Sequence, residues 1–246
     1  MKKLIIVLNE VAGTGKSVCA RGIHELVQGR EFRSTLVQTD PNDRRIKGAH
    51  YLDLSERPHL SEMIEVMDSC DAAVLDLKSG AVENFSDFFF SSELDEVLTE
   101  MGVQITFVTP VVDDVRSLVG VRAVAETFGD VADFVVVTTP IGYDEFEQWK
   151  TSAAKKAMDH LDAIEVAMPE IEESMLEEIE SRGLRLSSAI EDRWNLPRFL
   201  LNELQSWLLG FHSELEVAEE FVVPDRTELE KNGNFKSSYD SVALRS

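Results

Sequence analysis

The sequence predicts an α/β fold in which a doubly wound, mainly parallel sheet carries helices on both faces. Short apolar runs rich in β-branched residues indicate strands that are covered on both sides. Longer stretches with helical periodicity separate these runs, and such alternation is typical of parallel sheets. The length of 246 residues and the apolar content of 43% suit one large domain with a buried core.

Each strand and helix is predicted from its own run of residues. The apolar runs predict six strands, at Leu4–Leu8, Thr35–Thr39, Ala72–Leu77, Val103–Thr109, Phe134–Thr139 and Ile164–Met168. The stretches between them predict five helices, at Ser17–Gln28, His59–Asp68, Phe85–Met101, Asp113–Phe128 and Tyr143–Leu161.

After Met168 the alternation ends and the pattern becomes helical. An acidic amphipathic helix is predicted at Glu170–Ser181, and a second helix at Leu196–Phe211. The second helix has an apolar stripe at helical spacing, formed by Phe199, Leu200, Leu204, Trp207, Leu208 and Phe211. We expect the second helix to pack on the sheet, and the alternative is that it docks a partner. Residues 1–221 are interpreted as a single domain, and the polar segment 222–246 as a mobile tail.

The chain is strongly acidic, with a formal net charge of −22 from 46 acidic and 24 basic residues. Such a surface repels nucleic-acid phosphates and anionic lipids, so we expect protein partners and neither direct DNA binding nor membrane binding. The first apolar run is broken by Asn9 and Glu10, too early for a signal peptide, and no later run has membrane-spanning length. The expected location is the cytoplasm.

A phosphate-binding loop is predicted between the first strand and the first helix. Gly13-Thr14-Gly15-Lys16-Ser17 matches the second half of the pattern G-x-x-x-x-G-K-[ST]. In such a loop, backbone N–H groups surround phosphate oxygens, the lysine reaches the β- and γ-phosphates and the hydroxyl binds Mg²⁺. We therefore predict a site for ATP and Mg²⁺, although Glu10 stands where the full pattern has glycine.

Two carboxylates are candidates for supporting the metal and the attacking water. Asp76 ends an apolar run, where a P-loop protein needs an acidic residue for the Mg²⁺ shell. Asp40 ends another run and precedes Pro41, which favours an extended or turn conformation. Both would lie at the carboxyl edge of the sheet, where ligands bind in such folds. The alternative for each is a plain strand-end or turn aspartate.

The order of these motifs resembles the ParA/MinD family of deviant Walker ATPases over residues 1–190. Residues 11–17 look like the family's K-G-G-x-G-K-[ST] loop, residues 38–42 like its D-x-D-P-Q motif, and Asp76 like its Walker B aspartate. The resemblance implies a P-loop ATPase that forms a nucleotide-dependent homodimer, with Lys16 and Asp40 in catalysis and Ser17 and Asp76 at the metal. The nucleotide-binding residues that it implies are Val11, Ala12, Gly13, Thr14, Gly15, Lys16, Ser17 and Thr138.

One residue departs from the family pattern. Val11 stands where the family has its signature lysine, which reaches across the dimer to the partner's phosphates. We therefore expect slow ATP turnover, with Lys78 and Arg116 as candidates to replace that lysine. A narrower resemblance to plasmid-stability and conjugal-transfer proteins suggests a role in plasmid partition, conjugal transfer or a similar positioning process.

Two other functions remain open from the sequence. A small-molecule kinase, or a ligase resembling dethiobiotin synthetase, could use the same loop, with Arg44, Arg45 and Lys47 as a substrate clamp rather than a solvated loop. A non-hydrolysing adaptor with a degenerate site would keep the acidic surface and the last helix for a partner. The aromatic run Phe85–Phe90 would then be an interface if exposed, but we expect it to be core.

Overall fold

A computed structural model describes residues 1–40, 48–54, 60–139, 146–181, 185–191 and 197–231. Within these ranges, the strands are β1 (Lys2–Val7), β2 (Ser34–Gln38), β3 (His50–Tyr51), β4 (Ala72–Asp76), β5 (Val103–Val111), β6 (Asp133–Thr138) and β7 (Ile164–Ala167). They form one sheet in the order β3-β2-β4-β1-β5-β6-β7, and every neighbouring pair is parallel. The predicted fold class is confirmed. The two-residue strand β3 was not predicted because it is too short to show a period.

Helices cover both faces of this sheet. The described helices are α1 (Lys16–Gly29), α2 (Leu60–Ser69), α3 (Val82–Ser91), α4 (Leu94–Glu100), α5 (Val115–Phe128), α6 (Glu147–Thr151), α7 (Ala153–His160), α8 (Glu173–Ser181), α9 (Leu186–Glu191), α10 (Arg198–Glu214), α11 (Glu219–Val222) and α12 (Arg226–Lys231), with a 3₁₀ turn at Leu215–Ala218. None of them is long and apolar enough to cross a bilayer.

Two stretches that were each predicted as one helix are two helices. Between α3 and α4, Glu93 adopts a left-handed conformation with φ of 50°. Between α6 and α7, Ser152 is extended, and its hydroxyl accepts a hydrogen bond from Lys155 N at 2.9 Å. Neither break carries the glycine or proline that marks a helix end in a sequence. The first residues of the second prediction, 143–145, lie outside the described residues.

The core beneath α3 and α5 is aromatic. Phe85, Phe88 and Phe89 are buried, as predicted, and Phe85 and Phe89 pack around Phe128 with ring centroids 6.2 Å and 5.4 Å away. Phe90 is partly exposed but stacks on Phe128 at 5.6 Å. This run is therefore mainly core, which removes the aromatic interface that an adaptor function would use.

On the opposite face, α10 packs against α1. The stripe Leu201, Leu204, Trp207, Leu208 and Phe211 is buried, and Trp207 Nε1 donates to Pro169 O at 2.7 Å. His212 Nε2 lies 3.0 Å from Gly22 O on α1. Leu204, Trp207, Leu208 and Phe211 are thus buried as predicted, but Phe199 of the predicted stripe is 67% exposed and Leu200 is only partly buried. The helix contacts both α1 and β7.

The structure describes residues 222–231 of the segment interpreted as a tail. Val222 and Leu229 are buried there, and Arg226 lies over the Phe32 ring with its guanidinium carbon 5.3 Å from the centroid. Side chains of this segment therefore pack against the rest of the chain. The remaining residues, 232–246, lie outside the described part of the chain, so the boundary at 222 stays a prediction.

The close approach of α1 and α10 can be tested with two Gly→Ala changes in one helix. A Cβ on Gly22 would lie 2.6 Å from Cδ1 of the buried Phe211 ring, so Gly22→Ala should lower the free energy of unfolding by about 1–3 kcal/mol. A Cβ on Gly29 would meet no described atom within 4 Å, so Gly29→Ala should be neutral or stabilising by up to about 1 kcal/mol. Urea unfolding of both variants measures the difference. Equal effects would contradict this packing.

Candidate functional site

The candidate site lies where β1 ends, in the middle of the sheet. Val7, the last residue of β1, pairs with Asp76 of β4 on one side and with Val108 of β5 on the other. Because all strands run in one direction, the loops that follow them meet at the carboxyl edge. The chain then passes from β1 through residues 8–15 into α1.

Two glycines shape this loop. Gly13 and Gly15 have φ angles of +79° and +84°, in the left-handed region that L side chains rarely adopt. A Cβ on Gly15 would also lie 2.8 Å from Met168 Cε. Gly15 is the N-cap of α1, so the first N–H groups of a 14-residue helix open onto the loop. Such a helix start is a ready-made site for an anion.

Asn9 anchors the start of the loop. Its fully buried side chain accepts a hydrogen bond from Val11 N at 3.0 Å through Oδ1. Through Nδ2 it donates to Pro110 O at 2.9 Å and to Ser117 Oγ at 3.1 Å. A Cβ on Gly120 would lie 2.9 Å from Asn9 Oδ1, so this glycine lets α5 approach the loop. Sequence reasoning missed Asn9, because its partners on β5 and α5 are distant in the chain.

Lys16 lies in the floor of the loop, and only 7% of its surface is exposed. Its ammonium donates to Val11 O at 2.5 Å and to Ser79 Oγ at 2.7 Å. Burial lowers the pKa of Lys16 to about 8, although the carboxylates of Asp76 and Glu10 act in the opposite direction. A cation held by two neutral oxygens in a partly desolvated position is well suited to accept an anionic ligand.

Asp76 and Asp40 follow neighbouring strands and face the same cleft. Asp76 ends β4 and is 7% exposed. Thr39 joins the two strand ends, because its hydroxyl donates to Asp76 O at 3.2 Å and accepts from Lys78 N at 2.8 Å. Asp40 Oδ1 lies 3.8 Å from Lys78 Nζ. The two carboxylates that the sequence singled out are therefore close together at this edge.

These residues enclose a cleft of about 250 Å³, which is smaller than most pockets for whole small molecules. Its lining residues are Ala12, Gly13, Gly15, Lys16, Ser17, Val18, Gln38, Asp40, Asp76, Leu77, Lys78 and Ser79. Most of the predicted site residues thus come together in this cleft.

Three other predicted residues are not among those that line this cleft. Val11 contributes its backbone oxygen to Lys16, and Thr14 O accepts from Thr139 Oγ1 at 3.3 Å. Thr138, predicted at the adenine position, turns its hydroxyl to Val166 O at 3.2 Å. The threonine that reaches the loop is therefore Thr139, one residue further along the chain.

The residues that line the cleft fit a divalent cation that binds together with a phosphate ligand. No described cluster of three His, Cys, Asp or Glu side chains could hold a metal by itself. Ser17 and Asp76 nevertheless line one cleft, where a hydroxyl and a carboxylate supply the hard oxygen atoms that Mg²⁺ prefers. Phosphate oxygens and water would complete the shell, as they usually do for this ion.

Other basic residues that the sequence singled out are placed elsewhere. Arg44, Arg45 and Lys47 lie outside the described residues, so the structure does not test the substrate clamp. Arg116 lies in the first turn of α5, where its Nε is 3.1 Å from Asp114 Oδ1 and its side chain is 79% exposed. It is thus paired locally on the surface.

No protein-family model and no curated protein sequence matches the chain. Among solved structures, the septum site-determining protein MinD with Mg-ADP from Pyrococcus horikoshii OT3 aligns with 91% of this chain and 99% of its own, at 12% identity and a TM-score of 0.52. MinD from Aquifex aeolicus aligns at 15% identity over 85% of this chain and 97% of its own, with a TM-score of 0.49. An ATP complex of a McdA variant from Cyanothece aligns at 12% identity over the same shares, with a TM-score of 0.46.

At such low identity the similarity shows the fold alone. It rests on the Pyrococcus horikoshii structure, which aligns with a TM-score of 0.52. The parallel strand order, the glycine loop after β1 and the buried Lys16 agree with that assignment. The chain has the fold of the ParA/MinD-like P-loop ATPases.

Proposed function

We propose that this chain is a ParA/MinD-like nucleotide switch that binds ATP with Mg²⁺, hydrolyses it slowly and acts on a protein partner. The observation that carries the proposal is the buried Lys16 ammonium in the floor of the glycine loop, 2.5 Å from Val11 O. An ammonium in this position can exchange its two neutral partners for phosphate oxygens at little structural cost. The helix start at Gly15 favours the same negative charge.

Each part of the cleft has a role in this proposal. Lys16 and the N–H groups of the loop bind the β- and γ-phosphates, while Ser17 directly and Asp76 indirectly would hold Mg²⁺. When bound, Mg²⁺ neutralises charge on the phosphate oxygens. Asp40, which lines the cleft, orients the attacking water.

The proposed biological role is inferred from the residue at position 11 and from the net charge of the chain. Because Val11 replaces the signature lysine, turnover is slow, and the bound nucleotide acts as a signal. The ATP state forms a homodimer or recruits a protein, and the net charge of −22 disfavours DNA as the direct partner. Plasmid partition, conjugal transfer or a similar positioning process in the cytoplasm is the proposed setting.

Nucleotide affinity tests the site directly. Calorimetry with ATP, ADP and GTP in the presence of Mg²⁺ should show micromolar ATP binding, and Lys16→Ala should weaken it at least about a hundredfold, since it removes a charged partner of two phosphates. Ser17→Ala should retain weaker binding that no longer responds to Mg²⁺. No binding of any nucleotide by the wild type would contradict the proposal and favour the adaptor function.

Binding should depend on pH because Lys16 has a lowered pKa of about 8. The ammonium is present below that pH and is lost above it, whereas bound phosphates favour the charged form. ATP affinity should therefore fall by about tenfold per pH unit above pH 8, with proton uptake on binding. Lys16→Arg is the control, because its guanidinium stays charged and should remove this slope. A wild-type slope equal to that of the arginine variant would contradict the assignment.

The rate of ATP hydrolysis distinguishes the proposed switch from a kinase or ligase with the same fold. Phosphate release by the wild type alone should be slower than about 1 s⁻¹, the low end for enzymes, and Asp76→Asn should abolish it. The measurement is steady-state phosphate release with and without a metabolite mixture. Fast turnover without a partner would contradict the switch, and stoichiometric phosphorylation of a metabolite would favour the kinase or ligase.

A further inference from the structure

The cleft holds few cations for a triphosphate. Among the described residues that line it, Lys16 and Lys78 are the cations, and Asp40 and Asp76 are the carboxylates. These four charges balance one another. A triphosphate adds several negative charges, and phosphoryl-transfer sites meet them with additional lysines or arginines. The family position that supplies such a lysine carries Val11 in this chain.

The backbone of Lys78 is held firmly at the cleft. Its N–H donates to Thr39 Oγ1 at 2.8 Å, and two residues later Gly80 N donates to Glu10 O at 3.2 Å. The residue between them, Ser79, accepts from the Lys16 ammonium. Lys78 is therefore adjacent in the chain to a residue that already contacts the phosphate-binding lysine. Its segment is bonded both to the loop and to Thr39, the residue after β2.

The side chain of Lys78 is held only loosely. Its ammonium lies 3.8 Å from Asp40 Oδ1, beyond hydrogen-bond length, and the two side chains are 42% and 34% exposed. Ion pairs of this kind contribute little free energy and are easily exchanged. Arg116, the other candidate, pairs with Asp114 on the surface of α5 and does not line this cleft.

We propose that Lys78 is the second phosphate-binding cation of this site, and that it exchanges Asp40 for the terminal phosphate of ATP. This inference rests on the proposed function. The exchange has a second effect, because it separates Asp40 from the ammonium at the moment when the terminal phosphate arrives. The position of the Asp40 carboxylate, which orients water, thus depends on the γ-phosphate. This coupling needs no residue from a partner chain.

Calorimetry on Lys78→Ala tests this assignment with ATP and ADP in Mg²⁺. The variant should bind ATP about tenfold more weakly than the wild type, as expected for loss of one charged contact. Its ADP affinity should change less than about twofold, because Lys78 is assigned to the terminal phosphate of ATP. Lys78→Arg should retain most of the ATP affinity.

Lys155→Ala is the matched control. Lys155 pairs with Glu165 at 3.5 Å on β7, at the far edge of the sheet, so its loss should leave both affinities unchanged. Thermal unfolding of both lysine variants should agree with the wild type, which excludes a general loss of structure. Equal ATP binding by Lys78→Ala and the wild type would overturn the inference, whereas absence of ATP binding in the wild type would overturn the proposed function itself.

A double-mutant cycle tests the exchange with Asp40. Asp40→Asn removes the competing carboxylate and should raise ATP affinity about threefold, in the range of exposed ion pairs. In the Lys78→Ala background most of that gain should disappear, because no ammonium remains to be released. A full gain in both backgrounds would mean simple charge repulsion and would overturn the exchange.

Discussion

The buried ammonium of Lys16 is the group on which this edge of the structure depends. Burying a charge is costly unless polar partners compensate. Here the partners come from the loop itself, through Val11 O, and from the segment after β4, through Ser79 Oγ. Asp76 and Glu10 favour the charged form from nearby. One side chain therefore joins two loops that follow different strands, and its charge remains available to an anion.

The positions of these partners follow from the strand order. Because β1 lies between β4 and β5, the loop after β1 has a loop or helix on each side. Asn9 fixes one side by bonding Pro110 and Ser117, and Gly120 permits the close approach of α5. The segment after β4 fixes the other side through Gly80 N and Glu10 O. A change in the loop would thus reach α5 and the end of β4 together.

Local charge would allow an acidic protein to hold the proposed anionic ligand. The net charge of −22 repels phosphate at long range, but screening limits that effect to about 10 Å at ordinary ionic strength. Within the cleft, Lys16 and Lys78 balance Asp40 and Asp76, and the start of α1 adds partial positive charge. The proposed polyphosphate would therefore meet a less negative environment in the cleft than at the acidic surface.

The sequence by itself determined the fold class and six of the seven described strands, and it predicted the glycine loop and the carboxylates Asp76 and Asp40, because each depends on local periodicity or on a short motif at a strand end. It could not place Asn9, β3 or the breaks at Glu93 and Ser152, since these depend on partners distant in the chain or on backbone angles without a residue signal. Only the tertiary structure brought Lys78 to Asp40 and Thr139 to the loop. The reason is physical: strand order and register decide which side chains meet at the carboxyl edge, and no short stretch of sequence encodes them.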